Sequence, residues 1–168
     1  SSSSAPFYVE IKVTAPVSTD GGYSLVDNYC AAEWSSAAGS IPCTAKDGDN
    51  NGFVLRTDKP YLETGQIDDE PGLITFPQAV NDGVIRGKYP PVTVKTGDVF
   101  RSIIGCEYKA EDCNIKFQLD YQIDNGAIQT LASWNESYDG AFTNVNHDLS
   151  SLAGKNVRFI LTVLSNGS

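Results

Sequence analysis

The chain has 168 residues, of which 40% are hydrophobic and 10% aromatic, and this is enough to build the core of one domain of ordinary size. Its 21 acidic and 12 basic residues give a formal net charge of -9, which would repel phosphate backbones and anionic lipid surfaces. We therefore expect no nucleic acid partner and no membrane insertion, since no apolar run approaches the roughly 20 residues of a spanning helix.

The first predicted element is a strand near the amino terminus. After a small polar leader, residues 7–14 alternate strictly between apolar and polar side chains, and a proline flanks the run at each end. The apolar positions are Phe7, Val9, Ile11 and Val13. A period of two predicts a strand with one buried face. Residues 1–22 are therefore predicted to be an arm that completes its own domain, residues 23–168, or reaches into a neighbouring subunit.

Four cysteines form two local pairs, Cys30 with Cys43 and Cys106 with Cys113. Neither pair has the Cys-x-x-Cys spacing that is typical of zinc or redox sites. Three pairings exist in principle, but the local pairs close short loops and need no long-range geometry. Two disulfides predict an oxidising compartment, and we expect the extracellular space or the cell surface.

The Asp/Asn/Gly-rich loop after the first cysteine pair has the spacing of a calcium-binding loop. The candidate ligands are Asp47, Asp49, Asn51, Phe53 and Asp58, the last at the twelfth position. The aspartate at that position, the lack of flanking helices and the strand-like sequence that follows favour the alternative, a solvated turn. The sequence requires no cofactor, and structural calcium is the metal that its spacing fits.

Short alternating or apolar runs bounded by Gly, Pro, Asn and Asp recur along the chain, and no window indicates a helix. They predict strands at 24–26, 31–34, 53–56, 73–76, 84–86, 92–95, 99–104, 114–123, 127–134, 143–147 and 157–164. The clearest hairpin turns at Asp124-Asn125-Gly126, where Asn-Gly would supply the positive φ of a tight turn. The pattern predicts an all-β fold, a two-sheet jelly-roll β-sandwich with an N-terminal extended arm strand.

The segment from Trp134 to Gly140 is the best candidate for contacting a glycan, because aromatic rings and polar side chains can together bind sugar rings and hydroxyls. The candidate contacts are Trp134, Glu136, Tyr138 and Asp139. The alternative is that the tryptophan is a core anchor. Asn135 and Asn166 each begin an N-x-S glycosylation triplet, and a glycan on Asn135 would obstruct a binding face beside Trp134.

The sequence offers little for catalysis. His147 is the sole histidine, and no Gly-x-Ser-x-Gly motif accompanies it. Acid pairs such as Glu136 and Asp139 could in principle serve glycoside hydrolysis, but 21 acidic residues always contain such pairs. We therefore expect a protein that is not an enzyme.

Several segments carry a resemblance to known domains. Residues 148–155, leading into the apolar run 157–163, resemble the penultimate-strand signature of galactose-binding-like jelly rolls, the fold of discoidin domains and many carbohydrate-binding modules. Further segments are similar to a domain that recurs in secreted bacterial surface proteins, namely 87–90, 95–101, 104–106, Cys113 and 134–140. The resemblance implies the jelly-roll fold and says little about the ligand.

That resemblance also bears on the arm. Members of the group usually continue past an Asn-Gly-Ser triplet like that at Asn166 with one more apolar strand, whereas this chain ends at Ser168. We therefore expect a sandwich one strand short, although a truncated sequence would look the same. If the arm of one subunit fills the gap in the next, the head-to-tail contact builds an open homopolymer, an extracellular filament. The alternatives are a monomeric carbohydrate-binding module and an adhesion domain with a protein ligand.

Overall fold

The computed structural model describes residues 9–13, 23–43, 49–67, 71–78, 80, 82–108, 111 and 113–165. Within these residues the chain forms twelve β-strands and two three-residue 3-10 helices, Tyr29–Ala31 and Ser150–Leu152. The strands are β1 Val9–Val13, β2 Glu33–Ser36, β3 Gly39–Ile41, β4 Phe53–Thr57, β5 Gly72–Phe76, β6 Val84–Lys88, β7 Val92–Thr93, β8 Val99–Cys106, β9 Asn114–Ile123, β10 Gln129–Ser137, β11 Thr143–Asp148 and β12 Asn156–Ser165.

The described strands build two antiparallel sheets. The smaller sheet has five strands in the order β11-β8-β1-β5-β4. The larger sheet has the order β10-β9-β12-β6-β2-β3, with β7 paired to the beginning of β12. The core lies between the two sheets, so the predicted all-β, two-sheet sandwich is confirmed.

Alternation along the central strands of the larger sheet supplies much of the core. On β9, the residues Ile115, Phe117 and Leu119 are fully buried, and every second residue of β12 from Val157 to Val163 is buried as well. Because side chains alternate across a strand, these sets share the inner face of the sheet. Each such side chain contributes about 1.5–3 kcal/mol through removal from water, so these strands stabilise the domain.

Apart from shifts of one to three residues at strand ends and the two 3-10 helices, the local elements differ from the sequence prediction at three places. Residues 24–26 form a turn and not a strand, because the Asn28 N–H donates to the Ser24 carbonyl oxygen (3.1 Å). The short strand β3 was not predicted, since its three residues include Gly39. The β9–β10 hairpin is confirmed, but the residue with positive φ is Asp124 (53°) and not the Asn-Gly pair.

Both local disulfides are confirmed. Cys30 is bonded to Cys43 and Cys106 to Cys113, with Cα–Cα distances of 5.3 and 6.1 Å. The first bond joins the 3-10 helix Tyr29–Ala31 to the second residue after β3. The second bond joins the last residue of β8 to the residue just before β9. Among the described residues, no helix is long and apolar enough to cross a membrane.

Candidate functional site

The first strand of the chain lies in the middle of the smaller sheet. Its residues pair antiparallel with residues 102–106 of β8 on one side and with residues 73–75 of β5 on the other. Among the described residues, β8 pairs otherwise with β11, and β5 pairs otherwise with β4. We call the position between β5 and β8 the strand slot. Removing its occupant would divide the sheet into two two-stranded ribbons.

The register places the predicted apolar positions of β1 opposite buried residues. Val9 pairs with Cys106, Ile11 with Ile104 and Val13 with Ser102 on β8, and Val9 pairs with Thr75 and Ile11 with Leu73 on β5. All five partners are buried. Phe7, the fourth predicted apolar position, lies outside the described residues.

An empty strand slot would be costly for the domain. The facing backbones of β5 and β8 would lose their ladder partners, and unpaired backbone groups in a sheet are a template for association with another chain. Leu73 and Ile104, both fully buried, border the slot and would gain access to water. The slot therefore has to be filled by an extended segment.

A second feature lies at the end of β8, where Glu63 is buried with 5% of its surface exposed. Its Oε1 accepts the N–H of Cys106 (3.1 Å), and its Oε2 accepts the N–H groups of Asp139 (2.7 Å) and Gly140 (2.8 Å). Glu63 therefore ties the loop between β10 and β11 to the end of β8. Nothing near Glu63 in the sequence signals this role.

Glu136 lies beside this loop, near the end of β10, and is also buried, with 6% exposure. Its Oε1 accepts a hydrogen bond from the Thr143 hydroxyl (2.9 Å). Burial raises the pKa of Glu136 to about 7, and the negative charges of Asp139 and Glu63 act in the same direction. We call Glu63, Glu136 and Asp139 with Thr143 the carboxylate clasp. Its chemical capacity is a change of charge near neutral pH.

The structure places the predicted glycan contacts around the inner face of β10. The Trp134 ring stacks on Phe117, with centroids 5.7 Å apart, and meets the His147 ring edge-on at 6.3 Å. Tyr138 is partly buried against the core, whereas Asp139 is exposed. Packing of this kind is typical of a core anchor. The sugar-binding role of these residues stays a prediction.

The two faces of β10 separate the predicted glycosylation site from the tryptophan. Asn135 is exposed and pairs in register with Lys116, whereas Trp134 pairs with Phe117. Successive side chains of a strand point to opposite faces, so a glycan on Asn135 would not obstruct the Trp134 ring. Asn166, the second triplet, lies outside the described residues.

The predicted calcium loop is held by its own hydrogen bonds. The Asp49 carboxylate accepts the N–H of Asn51 (2.9 Å), and Asp58 forms an ion pair with Arg56 (2.5 Å). Phe53 begins β4 and stacks on Phe76; Asp47 lies outside the described residues. Among the described residues, no group of three or more His, Cys, Asp or Glu side chains is placed to hold a metal ion. Calcium binding stays a prediction.

No protein-family model, curated protein or solved structure matches the chain. The resemblance to galactose-binding-like domains therefore stays a prediction that rests on sequence motifs. Function has to be argued from the geometry of the strand slot and the carboxylate clasp.

Proposed function

We propose that this protein is a secreted structural subunit, not an enzyme, which assembles into an extracellular filament by donating its N-terminal strand to the strand slot of a neighbouring subunit. The observation that supports this most directly is the position of β1, which is first in the chain and yet central in its sheet. Such a strand can be exchanged between copies while every other strand pairing stays within its own chain.

The connection between β1 and the domain has a length that suits exchange. Residues 14–22 separate Val13 from Tyr23, the next described residue. A segment of this length spans at most about 30 Å when fully extended, which is comparable to the width of a small domain. The arm of one subunit can therefore enter a slot on an adjacent subunit.

Exchange would preserve the interactions that the slot offers. A donated strand pairs with β5 and β8 through the same backbone hydrogen bonds that the chain's own strand makes, as in known cases of strand addition. The donor and acceptor surfaces of each copy are different, so the contact is heterologous and need not close on itself. The expected product is a homopolymeric filament.

Two further observations favour an extracellular location. The two disulfides are typical of proteins that fold in oxidising compartments. Asn135 and Ser137 are exposed on β10, which lies at an edge of the larger sheet, so the Asn135 triplet is accessible for glycosylation. A glycan there would also shield this edge from pairing with other strands.

A pair of engineered cysteines tests the donation. Lys12 and Ile103 are register partners in the β1–β8 ladder, so Lys12→Cys combined with Ile103→Cys should oxidise to a disulfide across the slot. Donation predicts a ladder of covalent multimers on a non-reducing denaturing gel. The matched control is Arg101→Cys with Asn146→Cys, register partners on β8 and β11, which should give covalent monomers.

Covalent monomers from both cysteine pairs would overturn the proposal, because the slot would then hold the chain's own strand. In that case a polysaccharide pull-down of the monomer would test the alternative, a carbohydrate-binding module. Negative-stain microscopy of the unmodified protein provides an independent test, because strand donation predicts that filaments are seen.

A further inference from the structure

The carboxylate clasp joins parts of the chain that are distant in sequence. Glu63 lies between β4 and β5, Glu136 on β10 and Asp139 in the β10–β11 loop. Through Glu63 the loop is held against the end of β8, and through the Thr143 hydroxyl Glu136 is held against the start of β11. The clasp therefore closes one end of the sandwich between the edge strands of the two sheets.

We propose that the clasp is a pH-sensitive switch, in which protonated Glu136 allows the β10–β11 loop to stay on Glu63 and ionised Glu136 loosens it. The inference concerns the interior of a single subunit. It holds whether or not the protein assembles by strand donation.

The charges around Glu136 explain why ionisation, and not protonation, loosens the loop. Glu63 from the β4–β5 connection and Asp139 from the loop both carry negative charge towards it, and β11 contributes the Thr143 hydroxyl. The register partner on β9 is the apolar Ile115, and no cation contributes to its titration among the described residues. Ionisation therefore adds a buried negative charge, and its stabilisation by hydrogen bonds from Thr143 is outweighed by burial and by the two neighbouring carboxylates.

Relief of this repulsion has an identifiable route. Glu63 keeps its place through the Cys106 N–H, whereas its bonds to the N–H groups of Asp139 and Gly140 depend on a loop at the surface. Displacing the loop moves Asp139 away and admits water to Glu136. Because burial raises the pKa of Glu136 to about 7, the loop should loosen as the pH rises through neutrality.

Hydrogen–deuterium exchange followed by mass spectrometry tests the switch in the full chain. After correction for intrinsic exchange rates, protection of the peptide covering residues 137–142 should fall about tenfold between about pH 6 and about pH 8. Glu136→Gln keeps an oxygen for the Thr143 hydroxyl but cannot ionise, so its protection should not change with pH. The peptide at the β9–β10 turn serves as the internal reference.

Two controls isolate the residue responsible. Glu33→Gln removes one exposed negative charge far along the sheet and should retain the response of the unmodified protein. His147→Gln removes the sole histidine of the chain, which lies on the neighbouring strand β11, and it should retain the response as well. A pH response that survives in Glu136→Gln, or that disappears in His147→Gln, would overturn the proposal.

A second variant keeps the test valid if Glu136→Gln fails to fold. Asp139→Asn alters an exposed residue and keeps the oxygen that accepts the Ala141 N–H. It removes the negative charge that the loop carries towards Glu136, so the loss of protection should be smaller and should begin at a lower pH than in the unmodified protein. An unchanged midpoint would contradict the switch.

Discussion

Two buried glutamates illustrate how burial gives the same side chain different roles. Glu63 accepts three backbone N–H groups, and these hydrogen bonds hold the β10–β11 loop against the end of β8. Burial disfavours the charge of Glu136 and the carboxylates of Asp139 and Glu63 add to this effect, whereas the hydrogen bonds from Thr143 oppose it. The difference follows from the groups that the fold places around each residue.

The raised pKa of Glu136 predicts how stability depends on pH. The folded state holds the Glu136 proton up to about pH 7, whereas the unfolded chain releases it near the ordinary glutamate pKa of 4.5. Stability should therefore be highest below the unfolded pKa, fall as the pH rises through this window and level off above it. In urea unfolding at about pH 8, Glu136→Gln should gain about 1–2 kcal/mol relative to Glu33→Gln, and near pH 4.5 this advantage should vanish. Equal stability of the two variants at both pH values would contradict the assignment.

The sequence could not reveal Glu63 because its three partners lie 43, 76 and 77 positions away. Glu136 was noticed, but as a candidate sugar contact, since its neighbours in sequence are aromatic and polar. Burial of both residues depends on how β10, β11 and the end of β8 pack together. The alternation of apolar and polar residues along one strand carries no information about this packing.

Among the elements, β6 and β2 meet where a tryptophan ring packs closely against a glycine. Trp34 lies over Gly87, and a Cβ added to that glycine would come within 2.6–2.7 Å of three ring atoms. The ring cannot retreat easily, since its Nε1 donates to the Tyr29 carbonyl oxygen (2.7 Å) and its edge meets Tyr89 at 6.3 Å. The glycine is therefore required by the tryptophan.

Substitutions of Gly87 and Trp34 should therefore have non-additive effects on the free energy of unfolding. Gly87→Ala is expected to cost about 1–3 kcal/mol in urea unfolding, because overpacking forces the ring or the backbone to shift. In the Trp34→Phe background the smaller ring leaves space, so the same alanine should cost much less. If the stability losses of Gly87→Ala and Trp34→Phe simply add in the double variant, the close approach of the two residues does not determine stability.

Strand positions were largely predictable, and strand order was not. The β9 range 114–123 was predicted to the residue because its apolar positions alternate without interruption. Nothing local indicated that β1 would lie between β5 and β8, since these strands begin some 60 and some 90 residues, respectively, further along the chain. The strand slot, on which the proposed function rests, is a property of the assembled sheet.

At the scale of the whole molecule, occupation of the slot is a competition between copies of one strand. The chain's own β1 and a donated β1 form the same ladder, so the free energies of their contacts nearly cancel. Protein concentration and the length of the connection between β1 and the domain then decide which one fills the slot. The proposed strand donation therefore predicts monomers at low protein concentration and filaments at high concentration.

The net charge of the chain also affects the equilibrium between monomers and filaments. Each subunit carries -9, so neighbouring copies in a filament repel one another. Raising the salt concentration from about 10 mM to about 150 mM shortens the Debye length from about 30 Å to about 8 Å and should screen this repulsion. We expect light scattering and negative-stain microscopy to show a lower critical concentration for filaments at the higher salt concentration.

Covalent filaments of the Lys12→Cys and Ile103→Cys protein provide the control for that experiment. Their subunits are joined through the slot, so transfer to low salt should leave their length unchanged while unmodified filaments shorten. Filaments that dissociate as salt is raised would instead show that ionic contacts between subunits dominate the interface. Backbone pairing in the slot, which carries no net charge, predicts the opposite response, because salt then acts only on the repulsion between whole subunits.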